Sequence, residues 1–182
     1  MIVVGGGAAG MTAAQTCADM GHEVTLYEKT DRLGGLLNIA AAAPFKEYMR
    51  LYLQWMVRRT ETCGAKIEYG VTVTPALIDA LDPDAVIVCT GSRFSHPDIP
   101  GIDGDKVVSA ADCELHTKPV GQKVVICGGG IVGLECAVML GMEGKDVTVL
   151  GRPPVGSWAP EMPVFNHIEL NFQLDKYGVK VI

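Results

Sequence analysis

The chain has 182 residues, of which 48% are hydrophobic and 20% charged, and its formal net charge is −6. A chain of this length and composition forms one large domain or two small ones around a true core. The acidic balance, without any block of lysines and arginines, argues against nucleic acid as a partner. No apolar run approaches the about 20 residues of a membrane-spanning helix, and no basic segment precedes the first apolar residues, so neither a membrane nor a signal peptide is indicated.

The cysteine pattern contains no C-x-x-C pair among the six residues Cys17, Cys63, Cys89, Cys113, Cys127 and Cys136. Two of them lie inside apolar runs typical of strands. We therefore expect reduced, buried thiols in a cytoplasmic protein, and neither a redox-active disulfide nor a metal ligand within this chain.

The first elements in chain order are a short buried strand at 2–4, a helix at 8–20 and a strand at 22–28. Together they form a β-α-β unit. A loop rich in Gly and Ala follows at 29–44.

A helical period begins at residue 45, where apolar residues recur at steps of three and four up to a stop near Cys63 and Gly64. This spacing predicts an amphipathic helix. We interpret its stripe as the face that packs on the core; the stripe comprises Phe45, Met49, Tyr52 and Met56.

The middle of the chain predicts one strand or two short ones at 65–73 and a buried strand at 84–92 that ends in a glycine turn. Turn-forming residues then indicate a linker over 93–120. A second β-α-β unit starts with a strand at 123–127 and a helix at 131–143.

The last elements are a strand at 146–150, a Pro-rich loop, a helix at 163–176 and a strand at 178–182. Alternating strands and helices predict parallel sheets with helices on their faces. The fold class is therefore α/β, with two Rossmann-like subdomains at 1–120 and 121–182.

The first glycine cluster fits G-x-G-x-x-G with Gly5, Gly7 and Gly10, between a strand and a helix. The first glycine allows the tight turn, the second lets a pyrophosphate approach the backbone, and the third lets helix and strand pack closely. Glu28 ends the next strand, where a carboxylate can accept hydrogen bonds from ribose hydroxyls. Because strand, glycines, helix, strand and acid occur in order, the pattern indicates a dinucleotide site rather than a structural turn.

The second cluster repeats this spacing with Gly128, Gly130 and Gly133. Its acidic position falls on Gly151, and Arg152 follows. An arginine there favours the 2′-phosphate of NADPH over the ribose of NADH, although a solvated loop arginine would look the same. Glu135, one turn into the helix, either faces the nicotinamide or caps local amides.

Over nearly its whole length, the chain resembles the nucleotide-binding half of the NADH:flavin oxidoreductases of the 2,4-dienoyl-CoA reductase and enoate reductase type, which are old yellow enzyme-like. Trimethylamine dehydrogenase is a more distant relative. The most specific segment runs from Gly21 to Lys46 and contains "YEKTDRLGG" and "PFKE"; "VIVCTGS", "DIPGIDG" and "VVICGGGIVGLECA" add to it.

This resemblance implies two glutathione-reductase-like subdomains, the first for FAD and the second for NAD(P)H. In the first, Gly5, Gly7 and Gly10 would hold the FAD pyrophosphate and Glu28 the adenosine ribose. The family's other FAD motifs fall on Arg32, Gly34, Gly35, Thr90 and Gly91. In the second, the NAD(P)H pyrophosphate would lie on Gly128, Gly130 and Gly133, with Arg152 at the ribose end.

Full-length members also carry an N-terminal barrel with FMN and a four-iron–four-sulfur cluster, and their chain returns to complete the FAD subdomain with a Gly-Asp motif. Neither is present in this sequence. We therefore expect a truncated piece of a longer polypeptide that binds FAD weakly. Its expected role is electron entry: hydride passes from NAD(P)H to FAD, and electrons continue to the barrel, which reduces an enoyl substrate.

Two other functions remain open. One is a non-catalytic module that holds ADP, as in trimethylamine dehydrogenase, because the second site lacks its acid. The other is a free-standing disulfide or ferredoxin reductase, which is disfavoured because a C-x-x-C motif is missing. No catalytic side chain is predicted for the electron-entry role, since the cofactors supply the redox chemistry.

Overall fold

The computed structural model describes residues 1–95, 98–152, 158–160 and 162–182. The chain divides into two compact units, Met1–His96 and Pro97–Ile182. This division falls inside the predicted linker, so residues 97–120 group with the second unit. None of the helices in the described ranges is long and apolar enough to cross a membrane. Of the Pro-rich loop predicted between the strand at 146–150 and the helix at 163–176, residues 153–157 and 161 lie outside the described residues.

The first unit contains a four-stranded sheet with the order β3-β2-β1-β4, in which all neighbouring strands are parallel. The elements of this unit are β1 (Ile2–Val4), α1 (Ala8–Asp19), β2 (Thr25–Glu28), α2 (Leu37–Ala40), α3 (Glu47–Thr62), β3 (Lys66–Tyr69), α4 (Pro75–Leu81) and β4 (Val86–Val88).

The second unit contains a three-stranded parallel sheet with the order β5-β6-β7. The elements of this unit are α5 (Ala110–Glu114), β5 (Lys123–Cys127), α6 (Ile131–Met142), β6 (Asp146–Leu150), α7 (Val164–Lys176) and β7 (Lys180–Val181). The two β-α-β units and the α/β fold class predicted from the sequence are confirmed.

The core of the first unit lies between the sheet and the helices α1 and α3. Val3 and Leu26 contribute from the strands, Met11 and Ala14 from α1, and Met56 from α3; each is at most 2% exposed. Small residues on α1 let the helix approach the sheet closely, as the third glycine of the motif requires.

The core of the second unit centres on α6, which packs against α5, α7 and the sheet. Its residues from 136 to 141 are all buried. A helix that is apolar all round is buried on most sides. Val147 and Val149 from β6 and Leu170 and Leu174 from α7 complete this core.

Several element bounds differ from the sequence prediction. The strand predicted from residue 22 begins at Thr25, because the positive φ of Gly21 turns the chain after α1 before pairing starts. The strands predicted over 84–92 and 178–182 are shorter, at Val86–Val88 and Lys180–Val181. The segment 65–73 holds one strand, which ends at Tyr69, just before Gly70, where φ is also positive.

Three short helices were not predicted. The helix α2 lies in the loop predicted at 29–44, and α5 lies in the predicted linker. The helix α4 begins after Thr74, whose hydroxyl accepts a hydrogen bond from the Leu77 amide, and Pro75 occupies its first position. A Thr-Pro pair is a helix-start signal that the sequence does carry.

The interpretation of the apolar stripe in α3 is wrong for its aromatic members. Tyr52 is 52% exposed and Phe45 is 42% exposed, whereas Met56 is 2% exposed. The face that packs on α1 is rotated by one residue and also carries Leu53 and Thr60. The Gln15 amide on α1 donates a hydrogen bond to the Thr60 hydroxyl, and such a polar contact is invisible to hydrophobic periodicity.

Candidate functional site

The first glycine turn joins β1 to α1. The Gly5 amide donates to the Tyr27 carbonyl at 2.8 Å, which closes the turn onto β2. Gly5 has φ +103°, a conformation that favours glycine. A Cβ on Gly10 would overlap the Gly5 carbonyl oxygen, so only glycine fits where helix and strand meet. The predicted roles of the first and third glycines as turn and packing residues therefore fit the geometry.

Glu28 lies beneath this turn at the carboxyl end of β2 and is 5% exposed. Its Oε2 accepts the Gly6 amide at 2.7 Å, and its Oε1 accepts the amide and the hydroxyl of Thr30, each at 2.8 Å. Burial by itself would raise the pKa of this carboxyl, but these hydrogen bonds outweigh burial and hold the pKa below its ordinary value. The group is therefore a fixed anion beside the turn.

The loop after β2 folds back over the first turn. The Gly34 amide donates to the Gly6 carbonyl at 2.8 Å, and residues 7 and 34 form a parallel bridge. Gly34 and Gly35 both have positive φ, and a Cβ on Gly35 would lie 3.1 Å from the Gly7 Cα. The sequence-predicted glycines of the turn and of the loop are thus brought together in one place.

Arg32 lies in the same loop with its side chain exposed, 3.4 Å from the Asp31 carboxylate. It lines a cleft of about 510 Å³ between this loop, α3 and the end of β3. Charged, polar and apolar side chains all line the cleft. They are Asp31, Arg32, Leu33, Asn38, Leu53, Gln54, Val57, Arg58, Glu61 and Tyr69. Such a cleft at the carboxyl end of a parallel sheet is where ligands dock in open α/β folds.

Thr90 and Gly91 follow β4, so they also lie at the carboxyl edge of the first sheet. The Cys89 amide donates to the Val4 carbonyl at 2.8 Å, which aligns the end of β4 with the end of β1. A Cβ on Gly5 would overlap the Cys89 carbonyl. Thr90 and Gly91 are exposed, and Gly91 has φ +68°.

The second turn joins β5 to α6 and repeats the first. The Gly128 amide donates to the Leu150 carbonyl at 2.8 Å, and Gly128 has φ +130°. A Cβ on Gly133 would overlap the Gly128 carbonyl oxygen. Gly130 is the N-cap residue of α6, just as Gly7 is the N-cap residue of α1, and neither helix start has a side-chain cap. The two motifs therefore have the same backbone design.

The two turns differ at the position of the acid. In the second unit Gly151 follows β6, and the 4%-exposed indole of Trp158 packs on it. A Cβ on Gly151 or on Gly129 would overlap that indole. The indole therefore fills the space that the Glu28 carboxylate and Leu33 occupy beneath the first turn. Arg152 follows as an exposed side chain.

A hydrogen-bonded chain holds the Trp158 segment in place. His167 on α7 has its Nε2 at 2.9 Å from the Trp158 carbonyl, and the Asn171 amide lies 2.9 Å from its Nδ1. Because the carbonyl can only accept, Nε2 carries the proton and Nδ1 accepts from the amide. The same side chains line a cavity of about 220 Å³ beside Leu134.

Sequence reasoning missed Thr30, Asn38 and Trp158 as parts of these sites. A hydroxyl two residues after Glu28 is a local signal of a side-chain-to-backbone turn, so Thr30 was accessible from sequence. Asn38 donates to the carbonyls of Leu33 and Gly35 across the loop. Trp158 carries no local signal, because its partner Gly129 is distant in sequence and its partner Gly151 is separated from it by a loop with no regular pattern.

Both turns fit the pyrophosphate of a dinucleotide. Each helix starts with a glycine and no capping side chain, so its first amides point outward, and a Cβ on Gly7 or Gly130 would meet no atom within 4 Å. Free amides at a helix N-terminus attract phosphate. The space and the donors that a pyrophosphate needs are therefore present in each unit.

Comparison with known proteins agrees with this geometry. Residues 1–162 match the family described as pyridine nucleotide-disulphide oxidoreductase. The chain is 36% identical to an NADH oxidase of Thermoanaerobacter brockii over 98% of this chain and 28% of the relative. It is 40% identical to a cinnamate reductase of Clostridium sporogenes over 82% of this chain and 22% of the relative.

Among solved structures, a complex of 2-naphthoyl-CoA reductase with 2-naphthoyl-CoA superposes with a TM-score of 0.89 at 28% identity, over 100% of this chain and 27% of that one. The chain thus spans less than a third of the length of these relatives. The matches confirm the resemblance to the dienoyl-CoA and enoate reductase type, and they support the expected cofactors, FAD and NAD(P)H.

Proposed function

Because the chain belongs to the pyridine nucleotide-disulphide oxidoreductase family, we propose that it is the electron-entry module of a flavin-dependent oxidoreductase. When bound, NAD(P)H supplies a hydride and FAD accepts it. The observation that carries this proposal is the duplicated glycine turn, one in each unit, with the same backbone geometry and different chemistry at the ribose position.

In this proposal the first unit holds FAD. The amides after Gly7 bind its pyrophosphate. The Glu28 carboxylate accepts a ribose hydroxyl, since a carboxylate has about four acceptor positions and the chain's own donors use three. The loop glycines allow close backbone approach, and Arg32, Thr90 and Gly91 lie at the same edge of the sheet.

The second unit holds NAD(P)H in the same way. Gly128, Gly130 and Gly133 shape the turn, and the amides at the start of α6 bind the pyrophosphate. The position of Glu28 is taken by Gly151 in this unit, and the exposed Arg152 follows it. A ribose 2′-phosphate would find a cation there in place of the Glu28 carboxylate, so we propose a preference for NADPH.

The chain's residues orient and bind cofactors, and none is proposed as a nucleophile. With both cofactors bound, hydride transfer would require that they be held in position and shielded from water, and it would not require a side-chain base. Its proposed partner is the barrel with FMN and an iron–sulfur cluster, and the proposed final substrate is an enoyl compound. The names of two relatives, a cinnamate reductase and a 2-naphthoyl-CoA reductase, support this class of substrate.

We also propose that the protein works in the cytoplasm. All six cysteines are free thiols, which suits a reducing compartment.

A second candidate function is a non-catalytic module that holds an adenine nucleotide. The buried indole of Trp158 favours it, because an indole rather than a ribose-binding carboxylate packs on Gly151 beneath the second turn. In that case the second turn contributes structure rather than electron entry.

The test is calorimetric titration of the chain with FAD, NADH, NADPH and ADP. We expect Glu28→Ala to weaken FAD binding and Arg152→Ala to weaken NADPH binding, each by roughly tenfold or more, because a hydrogen bond to a charged group is lost. NADH binding should not change in Arg152→Ala. Glu23→Ala and Lys123→Ala are matched controls, since both side chains are exposed and away from the turns.

If ADP binds as well as FAD and no variant separates the nucleotides, the nucleotide-holding function is correct instead. If FAD binds and NAD(P)H does not, the electron-entry proposal fails at the second unit.

A further inference from the structure

Two cysteines far apart in sequence lie side by side in the second unit. Cys113 on α5 and Cys136 on α6 have their Sγ atoms 3.5 Å apart. They are 5% and 3% exposed. An S–S bond is about 2.0 Å long, so the two sulfurs need a relative movement of only about 1.5 Å to bond.

We propose that Cys113 and Cys136 form a reversible disulfide when the protein meets a hydroperoxide, which makes them a redox-modification site on the helix that carries the second glycine turn. The sequence argued against such a pair because the cysteines lack a C-x-x-C spacing; the packing of α5 on α6 brings them together instead.

The geometry assigns different roles to the two thiols. Cys136 donates its S–H to Cys113, and this hydrogen bond lowers the pKa of Cys113 although burial and the nearby Glu143 and Glu114 oppose it; Lys145 adds to the lowering. The same contact and burial raise the pKa of Cys136. Cys113 is therefore the attacking thiol, because the thiolate is the nucleophile in such reactions.

The chemistry balances with a hydroperoxide as the oxidant. The Cys113 sulfur attacks the terminal oxygen, the O–O bond breaks, and the departing alkoxide takes the Cys113 proton and leaves as an alcohol, or as water when the oxidant is hydrogen peroxide. Cys136 then attacks the resulting sulfenic acid, the S–O bond breaks, and the hydroxide leaves as water with the Cys136 proton. Two thiols are oxidised and one O–O bond is reduced.

Access to the pair comes through α5. This helix has only five residues, and the segment after it, residues 115–119, is exposed. Its start is held by Ser109, whose hydroxyl accepts the Asp112 amide at 3.0 Å. Short elements at the edge of a unit open locally more often than the core does, so a small oxidant can reach the thiols.

Closing the bond would tie α5 to α6 one turn after Gly133. Side chains on a helix lean toward its N-terminus, so the bond lies close to the level at which α6 packs on the second turn. Oxidation would therefore restrain the nucleotide-binding end of α6. A cytoplasmic disulfide of this kind is transient and redox-sensing in character.

The test is to treat the chain with one equivalent of hydrogen peroxide and to count free thiols after unfolding. We expect the six thiols of the reduced chain to fall by two and to return on treatment with a dithiol. Peptide mapping should join Val107–Lys123 to Val124–Lys145. Because the second peptide also contains the exposed Cys127, Cys127→Ser is the matched control and should keep the cross-link, whereas Cys136→Ser should abolish it.

A second readout does not depend on a variant that must fold. In the oxidised wild-type chain, hydrogen exchange in α5 should slow by about tenfold or more, because the cross-link removes entropy from the opened state. The proposal is overturned if all six thiols remain, if the bond maps to Cys127, or if Cys113 stops at a sulfinic acid while Cys136 stays free.

Discussion

The two glycine turns have the same backbone geometry, but different side chains fill the space beneath them. In the first, the Gly6 amide is held by the Glu28 carboxylate at 2.7 Å, and Leu33 fills the remaining volume. In the second, the Trp158 indole packs on Gly129 and Gly151. The first arrangement places a fixed anion beneath the turn, and the second places an apolar ring there.

This contrast teaches that the G-x-G-x-x-G spacing specifies the turn and the helix approach, while the residue packed beneath the turn decides whether a carboxylate lies there. In the proposed function, that difference sets the ligand of each turn. Gly10 and Gly133 face the same steric limit, since a Cβ on either would overlap the carbonyl of the first glycine. Glu28 and Trp158 lie at equivalent places beneath the two turns but differ in charge, size and hydrogen bonding.

The largest effect is expected for Trp158→Ala, because a buried indole is removed from beneath the second turn. Truncation of a buried aromatic side chain costs about 3–5 kcal/mol. Hydrogen exchange of the β5 and β6 amides should report that loss, and the exchange of the β1 and β2 amides should not change. If the β5 and β6 amides of Trp158→Ala remain as protected from hydrogen exchange as in the wild type, the indole does not stabilise the second turn.

The next effect tests the shared part of the design. Gly10→Ala and Gly133→Ala should each destabilise their own unit by about 1–3 kcal/mol, because the added methyl group overlaps a carbonyl oxygen. Gly121→Ala is the matched control, since a Cβ there would meet no atom within 4 Å. Urea unfolding measures the free energy of unfolding of all three variants. If only one of Gly10→Ala and Gly133→Ala is destabilised, the two turns do not share the same steric limit.

The electrostatic part of the contrast predicts a pH dependence in the first unit alone. The pKa of Glu28 is lower in the folded chain than its ordinary value of about 4.3. Its contribution to stability is therefore complete above about pH 4.3 and is lost as the pH falls through the folded-state pKa. Glu28→Gln should lower the free energy of unfolding at pH 7 by about 1–3 kcal/mol.

The difference between wild type and Glu28→Gln should shrink on acidification, as measured by chemical unfolding at a series of pH values. A difference that stays constant across this range would mean that the carboxylate charge does not hold the turn. Hydrogen exchange in the second unit provides the internal control, because the Trp158 indole and not a carboxylate packs on the glycines of its turn.

The smallest effect is expected for Thr30→Val, which removes the hydroxyl that donates to Glu28 and leaves the Thr30 amide in place. Loss of one hydrogen bond among three costs about 0.5–1.5 kcal/mol. The same unfolding assay should resolve this change. If Thr30→Val lowers the free energy of unfolding as much as Glu28→Gln does, the Thr30 hydroxyl accounts for the whole effect and the two backbone hydrogen bonds to Glu28 add nothing.

Much of this fold was readable from the sequence because its signals are local. The alternation of strands and helices and the two β-α-β units were predicted correctly, and the glycine turns and the acid at the end of β2 lie where the sequence pattern puts them. The prediction that the aromatic residues of α3 face the core was wrong. The face of α3 that packs on α1 depends on contacts such as the one between Gln15 and Thr60, which the hydrophobic pattern of the helix does not reveal.

The parts of the site that sequence reasoning missed are contacts between distant segments. Trp158 meets Gly129, and Cys113 meets Cys136, only after α6 has packed on its neighbours. Short helices such as α5 were also missed, because fewer than two turns carry no measurable period.

The most direct test of the contrast is to follow the backbone amides of both turns by NMR while the chain is titrated with ADP and, separately, with ADP phosphorylated at its ribose 2′ position. The Glu28 carboxylate should favour the free ribose and repel the added phosphate, whereas Arg152 should attract that phosphate. We predict that ADP shifts the amides of residues 6–10 first and that the 2′-phosphorylated form shifts those of 129–133 first. The same order of shifts with both nucleotides would contradict the claim that Glu28 in the first unit and Arg152 in the second set the ligand preference of their turns.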